Sequence, residues 1–177
     1  LEAFTFVATV AEEGQEWLKG KRQLPMGLGW LDPGDPPYDE LPIRVNRVAY
    51  REFSRNPDLP FEAYKQTLGR ELFGENASPQ RVDDALELQR ILFLDRTWCQ
   101  PSPVTSPERV RAMQAQGSLN DQKRAVYHEA LSRLQLIVDH CQDPKSDGEA
   151  AMRRIASWVL GRWTDEDRAL LSKNAGR

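Results

Sequence analysis

The chain has 177 residues, 40% hydrophobic and 29% charged, which suits one well-formed core better than two independent domains. Its net charge of −3, with Lys and Arg spread along the sequence, gives no basic face or stripe of the kind a nucleic-acid partner needs. No apolar run approaches the roughly 20 residues of a bilayer-crossing helix, so no membrane partner is expected. The sequence opens at Leu1 without a methionine or a basic leader, and the expectation is a fragment of a longer chain.

Taken in order, residues 1–41 read as an N-terminal helix followed by a long loop. Phe4, Val7, Ala8, Ala11, Trp17 and Leu18 recur at helical spacing up to Lys19, although Phe4 to Val10 could also open as a strand. From Gly20 to Leu41 prolines and glycines dominate, and Trp30, Leu31 and Tyr38 are the kind of side chains that pin such a loop to a surface.

Residues 42–177 read as a helical bundle, organised around Asn46 to Gly74. Ile43, Val45, Val48, Ala49, Tyr50 and Phe53 are too many apolar residues for one narrow stripe, so the first helix should be covered on two sides. Asn56-Pro57-Asp58 turns the chain, because the residue before a proline is pushed out of the helical region and Asn and Asp bond neighbouring backbone groups. Phe61, Tyr64, Leu68 and Leu72 then recur at helical spacing up to Gly74, a suitable left-handed stop.

This run, from an Asn-led apolar helix through Asn56-Pro57-Asp58-Leu59 to Leu72-Phe73-Gly74, resembles the helical segment that follows the catalytic (β/α)8 barrel in carbohydrate-active glycoside hydrolases, among them α-glucuronidases and hexosaminidase-like enzymes. The resemblance covers about thirty residues and is one of packing, so no catalytic residue carries over. It implies a bacterial-type parent enzyme, secreted or periplasmic, and a non-catalytic accessory domain packed on the barrel of the same chain. A polysaccharide contact through Trp30, Tyr38 or Trp98 would be its further use.

Beyond the hairpin, Ser78-Pro79 signals a helix start. Val82, Ala85, Leu86, Leu88, Ile91, Leu92 and Phe93 mark the helix that follows as buried, with Asp83, Asp84, Glu87 and Arg90 on its remaining face. Asp95 to Thr105 should be extended around Pro101 and Pro103, and Ser106-Pro107-Glu108 opens a short helix to Gly117. A long amphipathic helix is expected over 119–142, with Val126, Ala130, Leu134, Ile137, Val138 and Cys141 as its apolar stripe. Asp143 to Gly148 should break it. Met152, Ile155, Ala156, Val159, Leu160 and Trp163 define the next helix, and Thr164 caps a short last one. The sum is an all-α fold, an irregular bundle of about six or seven helices with one long Pro/Gly-rich loop.

Candidate chemistry is sparse. A glycosidase needs two carboxylates across a sugar, one of them held protonated; Asp83, Asp84 and Glu87 could supply them, but their spacing is that of a solvated helix face. His128 and His140 are too far apart along one helix to share a metal, and neither is a good base candidate. The glycines lack the strand, lysine and helix of a phosphate loop, so no cofactor is expected. Asp95, Arg96 and Trp98 form the most suggestive local set, since a carboxylate, a guanidinium and an indole could hold a sugar or simply close the bundle. Cys99 and Cys141 allow a disulfide without requiring one. The alternative to the accessory domain is a stand-alone helical module that binds a protein partner through an apolar groove.

Overall fold

The first helix, α1 (Glu40–Arg55), buries Leu41, Val45, Val48, Ala49 and Phe53, together with Asn46, over a broad arc, and leaves Arg47 and Arg55 in solvent. That arc is wider than one neighbour can cover. Helices α2 (Phe61–Phe73) and α3 (Pro79–Leu92) both pack against it. In this computed structural model the described residues are 40–92 and 103–172. The expected N-terminal helix and most of the Pro/Gly-rich loop lie outside them. The loop's expected end is corrected in one respect: α1 already begins at Glu40.

Between α1 and α2 the chain turns as the sequence predicts. The backbone N–H of Asp58 donates to Asn56 Oδ1 at 3.1 Å, and that of Leu59 to Asn56 O at 3.1 Å, so Asn and Asp here serve the turn. Phe53, Phe61 and Tyr64 then meet across the hairpin, with ring centroids 4.9 to 6.3 Å apart. The buried Tyr64 hydroxyl donates to Val45 O at 3.3 Å. Gly74 ends α2 at φ +89°, a conformation that a side chain would strain.

Of the segment expected to be extended from Asp95 to Thr105, only the end lies among the described residues, and there Pro103–Thr105 form a 3-10 turn instead. It is buried and anchored by Trp163, whose indole N–H donates to Val104 O at 2.8 Å. Helices α4 (Pro107–Ala115), α5 (Asp121–His140), α6 (Asp147–Gly161) and α7 (Asp165–Ser172) complete the bundle, and no strand occurs among the described residues. The fold is all-α, with seven α-helices among the described residues. Helix α5 packs on α6 and α7, while α3 ties this half to α1 and α2.

Two expectations for α5 and α6 are corrected. The buried stripe of α5 runs through Tyr127, Ala130, Leu131, Leu134 and Ile137, whereas Val126, placed on it from sequence, is 39% exposed. The break expected over Asp143 to Gly148 is present but ends sooner: α6 begins at Asp147, so Gly148 lies within its first turn. Its reason is space: a Cβ at this position would stand 2.3 Å from Leu72 O and 2.8 Å from the Phe73 ring. Gly148→Ala should therefore force α6 away from α2 and cost about 2 kcal/mol of stability, read as a lower denaturant midpoint.

Candidate functional site

The densest cluster of buried charge sits where the end of α5 meets α3 and the start of α6. The last carbonyls of a helix have no partners within it and carry the negative end of its dipole. One guanidinium meets them here, and a second binds the chain just beyond the helix end. Arg81 of α3 donates through Nη2 to His140 O, and Arg153 of α6 donates through Nη1 to Gln142 O at 2.6 Å.

Arg81 also gathers the carboxylates. Its Nε donates to Glu149 Oε1 at 3.0 Å, and its Nη1 lies 3.5 Å from Asp84 Oδ2. The side chains of Asp84 and Glu149 are only 7% and 12% exposed, so each needs its partners. Asp84 receives a bond from Gln80 Nε2 at 3.0 Å and faces His140 Nδ1 at 3.0 Å. Because an ionised carboxylate only accepts, Nδ1 carries the hydrogen of that pair. Glu149 Oε2 accepts from the backbone N–H of Lys145 at 2.6 Å, while the Glu149 N–H donates to Ser146 Oγ at 3.2 Å. Ser146 to Glu149 is thus a variant of the reciprocal helix-start motif, Ser then Glu three residues on.

Burial pushes the Glu149 carboxyl up, but the Lys145 N–H and the Arg81 guanidinium outweigh it and hold the group below its ordinary 4.5. Asp167 behaves alike at the start of α7. Burial is again the largest single influence, and the Thr164 hydroxyl and N–H with Arg111, whose Nε is at 2.7 Å, bring the group below its ordinary 3.8. A carboxylate whose folded pKa is depressed contributes stability above its unfolded value and loses it as pH falls through the folded one. The thermal midpoint should therefore hold between about pH 7 and 5 and fall below about pH 4.5, less steeply in a Glu149→Gln, Asp167→Asn variant. A pH scan of thermal unfolding reads this directly.

Cys141 closes the cluster as a free, buried thiol, pushed up to about 11 chiefly by burial. It is a thiol, not a nucleophile at neutral pH. Its expected alternative partner, Cys99, lies outside the described residues.

Chemically, a buried carboxylate on a histidine Nδ1 is the orienting half of a general base. The other half is an open site at Nε2 with a group to deprotonate. Two grooves of about 450 Å³ lie elsewhere, one along α2 and α3 over Lys65 and Gly69, the other between α5 and α7 at His128, Leu136 and Arg168. Among the described residues no group of three His, Cys, Asp or Glu side chains could hold a metal ion.

The sequence-predicted residues divide sharply. Trp30, Tyr38, Asp95, Arg96 and Trp98 all lie outside the described residues. The expected solvated face of α3 is split: the Asp83 side chain is 52% exposed and paired with Lys65 at 2.7 Å, and Glu87 is partly exposed, but Asp84 is buried. A one-residue step turns Asp84 toward α5, where His140 waits fifty-six residues later in the chain. His128 and His140 do not meet, as their spacing indicates. The pairing of His140 with Asp84 escaped the sequence reading because only tertiary packing brings the two together. The Ser146 to Glu149 motif was available as a signal.

Comparison with protein-family models, curated proteins and solved structures finds no match to this chain.

Proposed function

We propose that this bundle is a non-catalytic helical module that acts by contact. The observation that carries this reading is the use made of its buried charges. Asp84 is held by His140, Glu149 by Arg81 and Asp167 by Arg111 and the Thr164 turn, which fixes helix ends in place. Chemistry at this cluster would run through His140, whose Nδ1 Asp84 already occupies, and not through the carboxylates themselves.

Two hosts fit a contact module. The resemblance over Asn46 to Gly74 favours an accessory domain of a carbohydrate-active glycoside hydrolase, packed against and stabilising a catalytic barrel of the same chain and shaping its substrate cleft. The surface of the described residues favours a stand-alone protein-interaction module, since its exposed large hydrophobics are Val126 and Leu136, with Leu136 at the rim of the α5/α7 groove.

Incubating the purified chain with a panel of aryl glycosides and esters tests the shared claim. No turnover above a heat-treated control is expected. Turnover that disappears in a His140→Ala variant would overturn the contact reading and make Asp84 and His140 a working base pair.

A further inference from the structure

Helix α5 carries a second pattern on its outer side. Gln122, Val126, Glu129, Arg133, Leu136 and His140 recur at alternating spacings of four and three, and all six are exposed. This spacing keeps all six on one face of the helix, with Val126 and Leu136 as its apolar members. Val126 at 39% and Leu136 at 47% are the exposed large hydrophobic side chains among the described residues, and both fall on this face. Between them Glu129 and Arg133 form an exposed pair 3.3 Å apart.

The order of these residues is self-complementary. Two identical helices packed antiparallel about a two-fold axis bring together residues equally far on either side of the axis. With the axis at position 131, Val126 meets Leu136 of the second copy, Glu129 meets Arg133, and Gln122 meets His140. Each apolar side chain faces an apolar one, and each charge of the Glu129 and Arg133 pair faces its opposite. Parallel pairing would instead set Glu129 on Glu129 and Arg133 on Arg133, which is repulsive.

We propose that this face of α5 is the interface of an antiparallel two-fold homodimer. The proposal is independent of the host or partner that the module serves. The seam is about 27 Å long at 1.5 Å per residue. One helix pair lies at the small end of specific interfaces, so dissociation on the order of 10 to 100 µM is expected.

Sedimentation equilibrium of the full 177-residue chain, from about 5 to about 500 µM, brackets that range. The mass should rise from 20.3 kDa toward twice that value. Glu129→Arg and Arg133→Glu should each weaken the dimer at least tenfold, because each sets like charges across the seam twice. A mixture of the two variants should dimerise again, since one chain then presents only positive charges at these two positions and the other only negative ones. Far-UV circular dichroism confirms that both variants fold, and Leu136→Glu provides a third, apolar test of the same seam. Three results would overturn the proposal: a monomer at the highest concentration, variants that dimerise like the parent, or a mixture that stays monomeric.

Discussion

Phe53→Ala is expected to lower the unfolding free energy by about 3 to 5 kcal/mol, a large share of the roughly 5 to 15 kcal/mol that a domain of this kind possesses. Phe53 is wholly buried, 4.9 Å from the Tyr64 ring and 6.3 Å from that of Phe61, so its ring is what α1 and α2 share. Removing it takes away both the transfer of the ring from water and the contacts its neighbours make with it. The space left cannot close easily, because Tyr64 is tied to α1 through Val45 O. Urea unfolding should show a lower midpoint with an unchanged slope. A loss under about 1 kcal/mol would mean that the hairpin is not a core element.

Arg81→Met should cost about 3 kcal/mol by a different route. The stem of the side chain is largely replaced, but Asp84 and Glu149 lose their shared guanidinium and His140 O loses a donor at the helix end. The cost is mostly that of carboxylates left buried without a cation, tempered because Arg81 itself is 21% exposed. Neutralising the partner should therefore recover part of the loss. In the Arg81→Met, Glu149→Gln double variant the destabilisation should be smaller than the sum of the two single ones. Additive losses would show that the pair is not coupled.

Much of the fold was legible because apolar periodicity reports which side of a helix is covered. The stripe of Met152, Ile155, Ala156, Val159 and Leu160 is buried throughout, and Trp163 follows it into the core. The Asn56 turn and the Gly74 stop were readable for a local reason: their bonds close within a few residues. Polar residues inside the bundle were not. Gln89 is fully buried and donates to Asn46, forty-three residues away, and Asp84 is buried against α5. No periodicity distinguishes them from solvated neighbours, since the partner that makes burial tolerable lies elsewhere in the sequence. Val126 erred in the opposite direction. It satisfies the apolar spacing of α5, yet sits a fraction of a turn beyond the buried arc, on the seam that would receive a second copy.

The carbohydrate expectation rests on the Asn46 to Gly74 resemblance, and the aromatic and charged residues proposed to touch a sugar lie outside the described residues. What the described residues contribute is that the buried carboxylates of Asp84, Glu149 and Asp167 tie neighbouring helices together. The most direct test is the native mass of the protein in an extract of its source. Gel filtration followed by immunoblotting of each fraction, under denaturing conditions, separates the possibilities. A contact module should elute well above the 40 kDa or so expected of the homodimer alone. A heavy denatured band in those fractions would identify a longer chain, and a 20.3 kDa band a separate partner. Elution only at the mass of the free chain or its dimer would contradict a contact function.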